Sequence, residues 1–153
     1  DTLKIDTKYP GINGIGVIKY VLPKDLDAYL LVEREGRRYF NIHPQHSNKE
    51  HWPITYIEPE NVNIEALGLD TAYEMNRYKA GKKARNTGES QITGKITLVQ
   101  DSGRTPGFLF YAPFYNPDIW NTLEERQKNF AGMVYAPFIV KKLMEGTLED
   151  EKR

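Results

Sequence analysis

The sequence of 153 residues contains no cysteine, which excludes disulfides, thiol catalysis and cysteine-based zinc or iron–sulfur sites. It also has no run approaching the roughly 18 to 20 apolar residues that cross a bilayer. The chain also has no excess of positive or negative charge, because Lys plus Arg and Asp plus Glu both number 21. A formal charge of zero gives no global attraction to nucleic acid, so we expect no nucleic-acid partner.

Catalytic motifs are equally scarce. The serines are Ser47, Ser90 and Ser102, and none lies in the G-x-S-x-G pattern of serine hydrolases. The pair Gly14-x-Gly16 lacks the third glycine of a dinucleotide fingerprint and precedes a strand pattern instead of a helix. We therefore predict a domain that is not an enzyme and holds no cofactor.

What the sequence does have is material for one hydrophobic core. Apolar residues make up 39% of the chain, with ten Tyr and six Phe. A chain of this length is typical of one compact domain. We expect residues 1–153 to form a single domain.

Runs of β-branched and aromatic residues predict five strands. They cover residues 15–22, 52–58, 91–99, 108–115 and 130–140. A short helix is predicted from Lys24 or Asp25 to Gly36, and two more between Asn61 and Asn86 with a break near residues 68–71. This order indicates an α+β fold, with a five-stranded antiparallel sheet flanked by helices.

Three histidines, His43, His46 and His51, lie close together in a polar segment that reads as a loop. Clustered imidazoles can bind a transition metal. The H-x2-H-x4-H spacing matches no standard site, and no supporting groups are evident. We predict that no zinc, copper or nickel binds there.

Asp70 stands in the otherwise apolar segment ALGLD, where a carboxylate must be exposed, paired or hydrogen-bonded. It could cap a helix that continues through Glu74 and Arg77. The alternative is that it faces a ligand, because some perturbed or buried carboxylates are functional. Both interpretations remain open from the residues alone.

Several segments together resemble the CHASE family of sensor domains. An early Pro10-Gly11-Ile12 matches, and the resemblance covers about residues 10 to 147. The segments that carry it follow in order: Tyr56-Ile57-Glu58-Pro59-Glu60-Asn61-x-Asn63, Ala66-Leu67-Gly68-x-Asp70, Thr93-x-x-Ile96-x-Leu98-x-Gln100, Gly107-Phe108-Leu109-x-Tyr111-x-Pro113-x-Tyr115, and Arg126 with Gly132-x-Val134-Tyr135-x-Pro137-Phe138.

The resemblance implies a PAS-like or Cache-like sensor domain outside the cytoplasmic membrane. Such domains lie between two membrane spans and are attached to histidine kinases, diguanylate cyclases, phosphodiesterases or adenylyl cyclases. The chain would then be a fragment that lacks both spans and most of the preceding stalk helix. The implied partners are an unidentified small-molecule ligand and a second copy in the full-length receptor, with membrane contact through the absent spans.

The resemblance also implies a ligand site. In the plant cytokinin receptors of the family, the aspartate that pairs with the purine edge corresponds to Asp70. Their backbone contact on the next strand corresponds to Ile92, and a nearby threonine contact corresponds to Ser102. The candidate ligand contacts are Asp70, Ile92, Ser102, Tyr56, Phe110 and Tyr135, beside a pocket walled by the strands at 92–98, 108–115 and 133–138.

One position departs from the plant receptors. Where they carry small residues on the last strand, this chain has Tyr135-Ala136-Pro137, as bacterial members do. A tyrosine that faces inward would occupy volume that a purine needs, which speaks against cytokinin. The alternative function is a dimerisation or protein-partner module without a small ligand, and the third is a metal enzyme built on the histidines.

Overall fold

The computed structural model describes residues 11–98 and 105–151, with side chains described as far as residue 146. Six strands and four helices follow one another in this part of the chain. The strands are β1 (Ile15–Lys19), β2 (Ile54–Glu58), β3 (Gln91–Ile92), β4 (Ile96–Leu98), β5 (Thr105–Tyr115) and β6 (Phe130–Ile139). The helices are α1 (Leu26–Glu33), α2 (Met75–Thr87), α3 (Leu123–Asn129) and α4 (Val140–Glu151).

The strands form one sheet in the order β2-β1-β6-β5-β3, with β4 also pairing β5. Every ladder between named strands is antiparallel. The α+β class and the antiparallel sheet are therefore confirmed. The long β5–β6 ladder forms the centre of the sheet, with Tyr111 opposite Tyr135.

The predicted count of five strands is wrong, because the segment 91–99 divides into β3 and β4. Thr93 ends β3: its backbone N–H donates to the Leu109 carbonyl, and its hydroxyl accepts from the Leu109 N–H. The hydroxyl thus takes the place of a backbone acceptor, which interrupts the ladder beside Gly94. Both short strands still pair with β5.

Side chains alternate between two faces along β5 and β6. On the inner face, Leu109, Tyr111, Met133 and Tyr135 are all buried. The opposite face, which we call the outer face, carries Phe108, Phe110, Val134 and Phe138, and all of these are half-buried or exposed. Apolar residues therefore occupy both faces of these strands.

Helix α2 covers the inner face next to Trp52, which is fully buried. Gly81 is what allows the approach, since a Cβ there would lie 2.0 Å from Trp52 Cζ3. Glu74 caps the helix by accepting from the N–H groups of Asn76 and Arg77. Gly81 thus lets α2 pack closely against this large aromatic side chain of the core.

The structure contradicts the predicted helix before residue 70, because this segment contains turns and a short 3₁₀ turn, Ile64–Ala66. Gly68 has a φ of 81°, a left-handed conformation that ends helical structure. A Cβ at Gly68 would lie 1.9 Å from the Asn41 carbonyl oxygen. The loop that carries the histidines therefore passes directly over this turn.

Candidate functional site

Asp70 is fully buried and accepts four hydrogen bonds. His46 Nε2 lies 2.6 Å and His51 Nδ1 2.8 Å from its Oδ2 atom. The backbone N–H groups of Trp52 and Ala72 donate to its Oδ1 atom, over 2.8 Å and 3.1 Å. We call these five residues the Asp70 junction, because they join the histidine loop to the core.

Backbone pairing brings these distant residues together. His43 pairs with Leu69, and Pro53 pairs with Asp70, as isolated bridges beside the sheet. The His43 ring nitrogen Nε2 lies 3.0 Å from the Leu67 carbonyl oxygen, so this histidine faces a different group from the other two. The three histidines therefore do not converge.

The hydrogen-bond directions in the junction follow from His46. Its Nδ1 accepts the backbone N–H of Asn48 over 3.0 Å. Because a neutral imidazole carries one proton, the proton lies on Nε2 and is donated to Asp70. His51 Nδ1 is the other donor to the same oxygen. A carboxylate offers about four lone-pair positions, and four N–H groups occupy them here.

His46, His51 and Asp70 are also the residues in the described part of the chain that could hold a metal ion. Their ligand atoms lie within 4.8 Å of one another. A metal would need the lone pair of His46 Nε2, which the hydrogen bond to Asn48 assigns to a proton. The absence of a tight metal stays a prediction, now with this physical reason.

Asp70 is an N-cap, though of another element than expected. It accepts from Ala72 N–H at the start of the 3₁₀ turn Thr71–Tyr73. Glu74, and not Asp70, caps the helix that follows. A direct role for Asp70 in ligand binding stays a prediction, and a ligand would have to displace a present donor.

Tyr135 points to the inner face and is fully buried. A Cβ at Gly16 on the neighbouring strand would lie 2.5 Å from the Tyr135 ring, so the ring packs directly on that backbone. Burial raises the pKa of Tyr135 well above its ordinary value. Its hydroxyl has no hydrogen-bond partner among residues 11–98 and 105–146. Tyr135 and Tyr111 lie opposite each other on β6 and β5, and both rings are fully buried in the core.

The other predicted contacts lie elsewhere. Ile92 pairs with Phe110, and these two residues are neighbours on the outer side of the sheet. Tyr56 is 47% exposed on the edge strand β2, where its hydroxyl donates to buried Glu33 over 3.1 Å. Ser102 lies outside the described residues. The predicted contacts in the described part therefore do not line one pocket.

Sequence reasoning missed a cavity of about 500 Å³ beside β3, which we call the edge cavity. Of the predicted contacts, Ile92 lines it. Its lining residues are Ile92, Thr93, Lys95, Pro106, Gly107, Phe108, Val140 and Lys141. The run FLFYAPFY was the available signal, because a strand that is apolar at successive positions has two faces to cover.

Two further cavities lie near this region and near the histidine loop. One, of about 590 Å³, lies between α2 and β4, and it shares Lys95 and Pro106 with the edge cavity. The other, of about 490 Å³, is lined by Phe40, His43, Leu67 and their neighbours. Asp70 lines none of these three cavities.

An α+β domain with surface cavities of about 500 Å³ has the dimensions of many small-molecule binding modules. The family profile of the CHASE domain matches residues 1–153, the whole chain. The chain belongs to the CHASE domain family, whose members are extracytoplasmic sensory domains and not catalytic ones. No curated protein matches the chain. Among the described residues, no helix combines the length and apolar character that a membrane span requires.

Proposed function

We propose that this domain is the extracytoplasmic ligand-sensing part of a transmembrane signalling receptor. The match of the CHASE family over the entire chain is the observation that carries the proposal. The domain binds a small molecule and passes the signal across the membrane to a cytoplasmic output domain, such as a kinase or a cyclic-dinucleotide enzyme. The receptor acts as a homodimer.

The architecture supports this proposal as a PAS-like or Cache-like arrangement. A central antiparallel sheet carries α2 across one face, and α4 follows directly from the central strand β6. Any change at the sheet that moves β6 is thereby transmitted to α4 through one peptide bond, between Ile139 and Val140. Cavities of about 500 Å³ have the size of typical small-molecule sites.

A thermal-shift screen of the purified domain against small-molecule classes tests the function. A ligand that binds the folded state alone raises the unfolding temperature as its concentration exceeds Kd. Each hit is then titrated calorimetrically and must reach one ligand per domain. If a broad screen finds no saturable ligand, the small-molecule proposal fails.

The outer face favours one alternative, a module that senses or dimerises through protein contact without a small ligand. Ile15, Tyr56 and Val134 are between 43% and 47% exposed on three adjacent strands. Exposed apolar patches of this kind mark interaction surfaces. Sedimentation over a wide concentration range decides: a dimer abolished by Val134→Lys supports the alternative, whereas a monomer at all concentrations contradicts it for self-association.

A further inference from the structure

We propose that the edge cavity binds an amphiphilic anion, that is, a molecule with an alkyl or aryl body and a negatively charged head such as a carboxylate. This inference deepens the proposed function, since it assigns both the place and the chemical class of the ligand. It rests on the walls, the charges at the rim and the position of α4.

The walls come from three elements and are apolar. Ile92 of β3 is 60% exposed, and Val140 at the start of α4 is 38% exposed. Between them lies Phe108 of β5, whose ring stacks on Phe138 with centroids 5.1 Å apart and an interplanar angle of 7°. Stacking fixes the Phe108 ring as a rigid surface for an apolar body. A ligand that covers these side chains removes their apolar surface from water.

The rim is positively charged. Lys95 and Lys141 line the cavity, and no Asp or Glu does. Within residues 11–98 and 105–146, neither lysine makes an ion pair or a side-chain hydrogen bond. The nearest acidic group in the adjoining cavity is Glu74, which already pairs with Arg77 over 3.0 Å. Two uncompensated ammonium groups above an apolar floor favour an anionic head over a neutral or cationic one.

The start of α4 adds to this preference. Val140 and Lys141 are the first two residues of this twelve-residue helix. The N-terminus of a helix carries partial positive charge from its unpaired N–H groups. An anion at the rim therefore meets both lysines and the helix terminus, and the same contacts link its binding to the position of α4.

The probe is decanoate, used below its micelle concentration and titrated into the domain by calorimetry, with decylammonium and decanol as matched compounds. We expect decanoate to bind at one per domain and decylammonium to bind at least about tenfold more weakly, because the rim repels a cation. Equal affinity for the three compounds, or binding that never saturates, would overturn the proposal.

Variants locate the binding. The double variant Lys95→Gln/Lys141→Gln should weaken decanoate about fivefold while leaving decanol unchanged, since two exposed ion pairs are lost. The matched control Lys79→Gln/Lys128→Gln removes two exposed lysines that line none of the three cavities, and it should bind like the parent. Ile92→Gln should weaken the binding of both decanoate and decanol, because it replaces an apolar side chain of the cavity wall with a polar one. If the control pair has the same effect as Lys95 and Lys141, the attraction is non-specific and the site is wrong.

Failure of this inference can be told apart from failure of the sensing function. A screening hit of another class, whose affinity is unchanged in Lys95→Gln/Lys141→Gln and in Ile92→Gln, leaves the sensing function standing and removes this site. Stoichiometric decanoate binding that these variants weaken supports the site, even where the full-length receptor gives no output.

Discussion

The Asp70 junction and the edge cavity differ in how completely their polar groups are paired. In the junction, four N–H donors surround one fully buried carboxylate. At the edge cavity, Lys95 and Lys141 are exposed and make no ion pair with any residue of the described part. The residue with the most suggestive sequence context is occupied within the fold, whereas two unremarkable lysines are available to a ligand.

The difference in pairing indicates which groups stabilise the fold and which are available to bind a ligand. A buried carboxylate with all its positions filled contributes to one fold, because each lost partner leaves a buried donor unpaired. An exposed ammonium without a partner contributes little to folding and is free to meet an anion. Substitutions in the junction should therefore change the free energy of unfolding, whereas substitutions of the two lysines should leave it nearly unchanged.

The largest effect is expected at Asp70. Asp70→Ala leaves two buried backbone N–H groups and two imidazole N–H groups without an acceptor, so the free energy of unfolding should fall by about 3 kcal/mol or more. Asp70→Asn should cost about 2 kcal/mol, because its amide N–H₂ opposes donors that the carboxylate accepts. Urea unfolding at neutral pH measures both.

Thr122→Ala is the control for a simple cap. Thr122 caps the exposed helix α3 with a capping box, and its loss should cost about 1 kcal/mol. An Asp70→Asn variant as stable as the parent would show that Asp70 is no more than a cap.

The two histidines of the junction should differ. His46 uses both ring nitrogens, accepting from Asn48 and donating to Asp70, and its side chain is 10% exposed. His51 makes one side-chain hydrogen bond within the described residues, to Asp70, and its side chain is 20% exposed. We expect His46→Ala to lower the unfolding free energy by about 2 kcal/mol and His51→Ala by about 1 kcal/mol. Because the Asn amide lies where Nδ1 does, His51→Asn should recover part of the loss. Equal losses in the two Ala variants would contradict the larger contribution assigned to His46 from its two hydrogen bonds.

The sheet was predictable because its strands carry dense β-branched and aromatic runs, which are local signals. The division of 91–99 was not, since it depends on the Thr93 hydroxyl bonding to a strand 16 residues away. The turn at Gly68 also depends on a distant partner, the backbone at Asn41. Contacts between distant parts of the chain have no signature in a single local pattern.

The same reason explains the candidate site. The apolar context of Asp70 left three states open for its carboxylate, which are exposed, paired or hydrogen-bonded, and the structure has it hydrogen-bonded. Nothing in the spacing of the histidines indicated that two of them are its partners. His46 lies 24 residues before Asp70, and backbone bridges bring the two together. The edge cavity joins β3, β5 and α4, so its residues become neighbours through the fold alone.

Tyr135 shares one property with each region: it is buried like the Asp70 junction, yet its hydroxyl has no hydrogen-bond partner among residues 11–98 and 105–146. Tyr135→Phe removes a desolvated hydroxyl without a hydrogen bond, so stability should stay constant or rise by about 1 kcal/mol. Tyr29→Phe is the control: its hydroxyl lies 2.6 Å from Thr55 Oγ1, and its loss should cost about 1 kcal/mol. Equal losses in the two variants would show that the Tyr135 hydroxyl has a partner.

The pKa of Tyr135 gives this variant a pH signature. Burial raises its pKa above the ordinary value of 10.0, so the folded state keeps a proton that the unfolded state releases. The contribution of Tyr135 to the free energy of unfolding is therefore complete at pH values below the pKa of the tyrosine in the unfolded chain. It declines as the pH rises through that value toward the higher pKa of the folded state. In unfolding measurements between about pH 8 and about pH 11, Tyr135→Phe should lose stability less steeply than the parent.

The smallest effect is expected from the lysines of the edge cavity. Lys95→Gln/Lys141→Gln should change the free energy of unfolding by less than about 0.5 kcal/mol, because neither lysine forms an ion pair with a residue in 11–98 or 105–146. Lys19→Gln is the contrast, since Lys19 Nζ lies 2.9 Å from Glu33, which is buried, and its loss should cost about 1 kcal/mol or more. Both are measured by urea unfolding at low ionic strength, where charge effects are largest. A loss above 1 kcal/mol in the double variant would mean that these lysines are already paired in the folded protein, and the edge cavity would then lack the positive rim on which anion binding depends.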